Sequence, residues 1–173
     1  MCISRSRSHR GGFTLIEASL AMVIVGVGIL AMMQLLAICT TQNRSGGEIT
    51  TATLLAENIR ETMAGLPLSD PIWGHATFGP ESGQSLAGYD DVDDFDGATL
   101  NPPIDAFRQA IPDLDHYTQI VSVTPVQPAQ LNGSVSKSTY TGAVRVRVKV
   151  MYRSDPSQPL EEVHQASWIR VDQ

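Results

Sequence analysis

The chain is poor in several residue types on which small extracellular or catalytic proteins depend. Of its 173 residues only two are cysteines, 6% are aromatic and 17% are charged. Cys2 and Cys39 both lie near the N-terminus, so the rest of the chain has no thiol and can form no internal disulfide. Lys and Arg number 12 against 18 Asp and Glu, which gives a formal net charge of −6. This acidic balance argues against nucleic acid as the main partner.

Motifs for catalysis are also missing. The sequence contains no G-x-S-x-G, P-loop, H-E-x-x-H or C-x-x-C pattern. Beyond residue 12 the histidines are His75, His116 and His164, and none is spaced like a zinc pair. Residues 113–116 (Asp-Leu-Asp-His) leave a metal site open, but their position after Pro112 favours a surface turn. We therefore predict no catalytic residues and no enzymatic activity.

Charge is absent from a long stretch near the N-terminus. The 26 residues from Ala18 to Asn43 include no Asp, Glu, Lys or Arg. A membrane span needs about 20 mostly apolar residues, whereas an ordinary secretory signal has an apolar core of about 7–15. Residues 1–12 carry three arginines and no acid. We expect this basic head to stay cytoplasmic and the remainder to lie beyond the inner membrane.

Three ordinary interpretations compete for this stretch: a signal anchor, a cleaved secretory signal, and a lipoprotein signal ending at Cys39. The length disfavours the second, and the large Ile38 before the cysteine disfavours the third. None of them accounts for Glu17, the only charge in the apolar run from Phe13. Inserting a carboxylate at mid-bilayer costs about 2.5–3.5 kcal/mol, and the cost is lower near the interface. As a lone charge, Glu17 would therefore have to extend its side chain to the interface.

The residues around this glutamate form a recognisable pattern. Gly12-Phe13-Thr14-Leu15-Ile16-Glu17, between a basic leader and an apolar run, resembles the class III signal of type IV pilins and type II secretion pseudopilins. The resemblance implies cleavage between Gly12 and Phe13 by prepilin peptidase, followed by methylation of the Phe13 amine. It also implies that Glu17 pairs with the N-terminal ammonium of a neighbouring subunit. A buried carboxylate and a buried ammonium are each costly alone and tolerable together, so the pair would set the register of assembly.

The rest of the chain divides by composition. We predict a basic leader at 1–12, a transmembrane and polymerisation half of a helix at 13–43, its amphipathic half at 44–66, a Gly-, Pro- and Asp-rich connecting loop at 67–116, and an antiparallel β-sheet region at 117–173. The amphipathic face follows spacings of three and four residues through Ile49, Ala52, Leu55, Ala56, Ile59, Met63 and Leu66. Gly65 and Pro67 are expected to end the helix.

Three strands are predicted in the last region. Residues 117–124 form a candidate strand that Pro125 and Pro128 should stop. Residues 143–153 alternate strictly between apolar and mostly basic side chains, which indicates a half-buried strand. Residues 161–171 offer its hairpin partner, with Glu161 and Glu162 opposite the basic row. The predicted fold class is α+β, a long N-terminal helix packed on a small antiparallel sheet of three or four strands, as in type IV pilins.

The connecting loop contains a dense acidic segment at residues 89–97. It holds five aspartates, Asp90, Asp91, Asp93, Asp94 and Asp96. Calcium takes six to eight oxygen ligands, so these side chains are a candidate calcium site, although EF-hand spacing does not fit. A solvated acidic loop anchored by Tyr89 and Phe95 is the favoured interpretation. The string Asp-Asp-Val-Asp-Asp-Phe resembles one in minor pilins of the mannose-sensitive haemagglutinin type.

Together these features predict a minor pilin that prepilin peptidase processes and that assembles into, or primes, a type IV pilus. The expected partners are the peptidase, other pilin or pseudopilin subunits, the inner-membrane assembly platform and membrane lipid. Before assembly the chain would be a single-pass inner-membrane protein with a periplasmic head, and afterwards part of a filament. A pseudopilin of a type II secretion system is the alternative within the family. A membrane-tethered periplasmic binding module outside any filament is the alternative from another class.

Overall fold

The computed structural model describes residues 12–70, 78–139 and 141–172. Most of the predicted leader, including Cys2, and also His75 lie outside the described residues. The chain divides into two compact units, Met1–Ser45 and Gly46–Gln173.

Helix α1 spans Leu15–Ala64. Its first part accounts for all the described residues of the first unit after Thr14. Thr14 caps the helix, since its Oγ1 accepts a hydrogen bond from the Glu17 backbone N–H at 3.3 Å. Ser/Thr followed three residues later by Glu is the sequence of a capping box. The side chains of this stretch are exposed all round the helix. Its length and a mean hydropathy of 2.5 over 18 residues suffice for a membrane span.

In the second unit α1 buries one face. The helix continues through Gly46 and Gly47 without interruption and buries Ala52, Leu55, Ala56, Ile59 and Met63. These five confirm the predicted amphipathic face. Its outer members differ, since Ile49 is 50% exposed and Leu66 lies beyond the helix. The helix ends at Ala64, slightly before the predicted stop.

Within the described ranges the sheet has five antiparallel strands. They are β1 (Thr99–Leu100), β2 (Tyr117–Gln127), β3 (Gln130–Ser134), β4 (Ala143–Tyr152) and β5 (Glu161–Val171). The spatial order is β1-β2-β4-β5, and β3 pairs with the far end of β2. A long N-terminal helix followed by a small antiparallel sheet is the α+β fold of type IV pilins, so the predicted fold class is confirmed.

Strand β4 confirms the predicted alternation. Val144, Val146, Val148 and Val150 are buried, whereas the basic residues between them are exposed or half-buried. The hairpin with β5 brings Lys149 Nζ to 2.7 Å from Glu162 Oε2, as the facing rows of charge predicted.

Strand β2 is longer than predicted. It runs through Pro125 to Gln127, so the expectation that Pro125 stops the strand is wrong. Pro125 still pairs with Val144 of β4 in the register of the sheet. On the other side its carbonyl, which proline retains, accepts the Val135 N–H at 2.9 Å.

The segment between helix and sheet is packed into the core and does not merely connect them. Its described part contains two 3₁₀ turns, Leu86–Gly88 and Asp93–Phe95, and supplies β1. Val92 and Phe95 are fully buried in the same cluster as the α1 face and the inner side of the sheet. The Val92 N–H donates to the Pro67 carbonyl at 3.0 Å, which ties the segment to the chain just after α1.

A single polar side chain joins three parts of this core. Gln119 of β2 is fully buried. Its Nε2 donates to the Leu55 carbonyl of α1 at 2.8 Å and to the Ile104 carbonyl at 3.1 Å, while its Oε1 accepts the Ile104 N–H at 2.8 Å. Because all three partners are backbone groups, the amide fixes helix, connecting segment and strand without depending on another side chain.

Candidate functional site

The motif residues lie at the start of α1. Gly12 precedes the helix, and a Cβ built on it would meet nothing within 4 Å. Phe13 is 77% exposed. Glu17 lies in the first helical turn, where the positive end of the helix dipole favours a carboxylate. The structure thus leaves Gly12 and Phe13 accessible, and it places the Glu17 carboxylate in the first turn of a helix that Thr14 caps.

The acidic segment, residues 89–97, is largely buried. Asp91 is 2% exposed and Asp94 is 1% exposed, so the favoured expectation of a solvated loop is wrong. The anchoring part of that expectation is confirmed for Phe95, which is fully buried and packs edge-on against Tyr89 with ring centroids 5.0 Å apart. Packing of these rings and of Val92 draws the aspartates between them into the protein.

Three of the five predicted aspartates converge. The Asp94 N–H donates to Asp91 Oδ1 at 3.0 Å, and the Asp90 N–H donates to Asp94 Oδ2 at 2.9 Å. One carboxylate oxygen from each of Asp90, Asp91 and Asp94 lies within 4.8 Å of the other two. This is a cluster of hard oxygen donors, the kind of ligand that divalent cations such as calcium prefer.

The other two predicted aspartates have different hydrogen-bond partners. Asp93 Oδ2 accepts the Gly79 N–H at 3.1 Å. Asp96 Oδ1 accepts the Val123 N–H of β2 at 2.9 Å, and its Oδ2 contacts Lys137 Nζ. Asp96 therefore joins the segment to the sheet and has a cation of its own, outside the converging group.

Burial perturbs two of the three converging carboxyl groups, those of Asp91 and Asp94. Burial, followed by the neighbouring Asp93 carboxyl group, raises the pKa of Asp91 to about 8. Burial also raises the pKa of Asp93 and of Asp94. Among the residues that the structure describes, three carboxylate oxygens are buried without a hydrogen-bond partner: Asp94 Oδ1, Asp93 Oδ1 and Glu81 Oε2. Within the described parts of the chain, no Lys or Arg forms an ion pair with the three converging aspartates.

The second possible metal site is a surface turn. Asp113, Asp115 and His116 are exposed in turns that lead into β2, and Asp113 adopts a positive φ of 62°. The His116 ring lies 6.4 Å from that of Tyr152 in an edge-on arrangement. The turn interpretation is therefore confirmed.

Two further polar side chains were not predicted from the sequence. Arg170 of β5 donates from Nη1 to the Met63 carbonyl at 2.7 Å and from Nη2 to the Leu66 carbonyl at 2.9 Å, and so caps the C-terminal end of α1. Gln119 occupies an inward position of β2, in line with buried valines. The alternation of residues along the strand was the only sequence signal that indicated its burial.

The comparisons with known proteins bear on the helix start. Residues 7–33 match the family model described as the prokaryotic N-terminal methylation motif. No curated protein and no solved structure matches the chain. The matched motif supports a type IV pilin-like or pseudopilin-like substrate of prepilin peptidase, and it implies a structural subunit that assembles with other pilin subunits. The chain thus carries the type IV pilin and pseudopilin signature, ahead of an α+β fold of the type IV pilin kind.

Proposed function

We propose that the chain is a minor pilin, stored in the inner membrane with its head in the periplasm and then assembled into a type IV pilus. The observation that carries the proposal is Glu17, a lone carboxylate at the start of a helix whose next 26 residues have no charge. An inert tether has no use for such a residue, whereas a filament subunit uses it to bind the amine of its neighbour. The acidic string in residues 90–95 supports a minor subunit, through its likeness to minor pilins.

Two roles for Glu17 have to be separated by experiment. Glu17→Gln retains an amide that can cap the helix but removes the charge, whereas Glu17→Ala removes both. If Glu17 pairs with the amine of the preceding subunit, both variants are cleaved and both fail to enter the filament. If its role is only to cap the helix, Glu17→Gln assembles normally, which would refute the pairing.

A matched control lies further along the same helix. Glu57 is exposed and forms an ion pair at 3.6 Å with Arg60, also exposed. Glu57→Gln makes the same chemical change outside the apolar run, and we expect normal incorporation. Incorporation is measured by immunoblotting of sheared filaments against the membrane pool.

Processing at Gly12 and Phe13 is tested separately. Mass spectrometry of the mature chain should show an N-methylated Phe13 at its end. Gly12→Val should prevent cleavage, and because a Cβ there meets nothing in the folded chain, the loss would lie in recognition by the peptidase. Gly11→Ala, at the neighbouring glycine, should still be cleaved. An intact Met1, or an unmodified end elsewhere, would contradict the proposal.

The subunit class is tested by amount and by phenotype. A minor pilin is found in filaments far below the amount of the main subunit, and deleting it should impair piliation. If the deletion instead abolishes protein secretion and leaves pili intact, the chain is a pseudopilin of a type II secretion system. If the mature chain is absent from every filament fraction, the membrane-tethered binding module is the correct interpretation.

A further inference from the structure

The acidic segment poses an electrostatic problem that assembly through α1 does not address. Asp91 and Asp94 are almost fully buried, side by side, and Asp90 joins them at the more exposed edge. Buried carboxylates in proteins are normally paired with a cation, hydrogen-bonded or bound to a metal, because desolvating an unpaired charge is expensive. Within the described residues the nearest ion pair on this segment is that of Lys137, which contacts Asp96 and not this group.

One oxygen of the Asp94 carboxylate has no hydrogen-bond partner among the described residues. Asp94 is 1% exposed, and its Oδ2 accepts the Asp90 N–H, but its Oδ1 is buried and has no partner. Its carboxylate is one of the three whose oxygens converge. A buried acceptor left unsatisfied costs about 1–3 kcal/mol, and more when it is charged. A proton or a cation bound by the Asp94 carboxylate would supply the missing partner.

We propose that Asp90, Asp91 and Asp94 form a binding site for one Ca²⁺ ion in the head. Calcium bonds to oxygen at 2.3–2.6 Å, so two of its ligands can be as far apart as about 5 Å. The three converging oxygens, all within 4.8 Å of one another, fall within that span. Magnesium demands near-ideal octahedral geometry at about 2.0–2.1 Å and usually keeps several waters, so a group of converging carboxylates suits calcium better. Zinc prefers nitrogen and sulfur ligands, which this group lacks.

The ion would cross-link part of a head whose described residues contain no cysteine. The acidic segment is tied to Pro67 through Val92 and to β2 through Asp96 and Val123. Binding Ca²⁺ between Asp90, Asp91 and Asp94 would fix the turn between those two attachments. The consequence is a head whose stability depends on calcium, whatever filament it enters, so this inference stands apart from the proposed function.

The test uses the full-length chain, purified in detergent micelles and treated with a chelator that is then removed. Calorimetric titration with CaCl₂ should show one saturable site per chain, with a Kd in the range of about 10⁻⁴–10⁻³ M that is usual for extracellular modules. Titration with MgCl₂ should show at least about tenfold weaker binding. At a Ca²⁺ concentration 100 times Kd, the Tm of the head should rise by roughly 10 °C.

Variants locate the site. Asp94→Asn and Asp90→Asn each remove one charged ligand and should weaken Ca²⁺ binding by at least about tenfold. Replacing a residue that only hydrogen-bonds to a metal ligand already lowers metal affinity by about that factor. Asp90 is the safer variant for folding, since its contact to Asp94 uses its backbone N–H. Asp96→Asn is the matched control, because the amide can still accept the Val123 N–H and binding should be unchanged.

The opposite results are equally clear. No saturable Ca²⁺ binding by the unsubstituted chain overturns the proposal, as does normal binding by both Asp94→Asn and Asp90→Asn. An equal loss in Asp96→Asn would show diffuse attraction to an acidic surface and no defined site. Equal affinity for Mg²⁺ would overturn the assignment to calcium. Near-ultraviolet circular dichroism of each variant checks that the head is folded.

Discussion

The two stretches of α1 differ in what their apolar residues contact. From Leu15 to Ser45 every side chain is exposed, although most are apolar. From Gly46 to Ala64 one face is buried against the core and the rest is largely polar. Burying one large apolar side chain is worth about 1.5–3 kcal/mol. Among the described residues the first stretch gains none of this, whereas the second stretch stabilises the head.

The largest effect on the stability of the head is expected when one leucine is substituted in each stretch. Leu55 is 2% exposed and Leu35 is 61% exposed. Leu55→Ala should destabilise the head by about 2–5 kcal/mol, since it leaves a cavity in the core. Leu35→Ala should leave the unfolding of the head unchanged. Thermal unfolding of both variants in detergent, followed by near-ultraviolet circular dichroism, measures the effect. Comparable losses in both would show that the head depends on the first stretch.

The helix and most of the sheet could be predicted because their burial follows a regular period. The buried residues of the second stretch of α1 are spaced by three or four positions, and those of β4 by two, so each pattern reports the face that meets the core. The motif at Gly12–Glu17 needed no fold at all, because a peptidase reads it as sequence.

The acidic segment could not be predicted in the same way. Its burial depends on the packing of Val92 and Phe95 against residues far away in the chain, and a run of aspartates by itself suggests exposure. Pro125 was also misleading, because a strand tolerates proline where its neighbour uses only the carbonyl. Such features follow from tertiary contacts, for which the local sequence has no period.

The next largest effect concerns the buried amide that ties the second stretch to the sheet. Gln119→Leu roughly preserves the volume of the side chain but removes its amide. The Ile104 N–H, the Ile104 carbonyl and the Leu55 carbonyl then lose their hydrogen-bond partner. The loss should be about 2–4 kcal/mol, mainly from unsatisfied backbone groups. Gln165→Leu, on the exposed side of β5, is the control and should change stability by less than about 0.5 kcal/mol. An equally small effect at Gln119 would mean that its hydrogen bonds contribute little.

A smaller effect is expected where the second stretch ends. Arg170→Ala removes the two hydrogen bonds that cap the Met63 and Leu66 carbonyls. A partly buried, charged cap of this kind should contribute about 1–2 kcal/mol, less than a fully buried one because water can replace it in part. Arg147→Ala, at an exposed position of β4, should be nearly neutral. Denaturant unfolding of both variants measures the difference, and equal losses would contradict the capping role.

The smallest effect tests whether the two stretches unfold together. Gly26 and Gly46 both lie inside α1, and a Cβ on either would meet nothing within 4 Å. Replacing a helical glycine by alanine favours the helix by up to about 1 kcal/mol. Gly46→Ala should raise the Tm of the head by a few degrees, because the helix there unfolds with the core. Gly26→Ala should not, because the side chains around it are exposed and do not belong to the core. If both variants raise the Tm equally, the helix unfolds as one unit with the head, and the division between its two stretches is wrong.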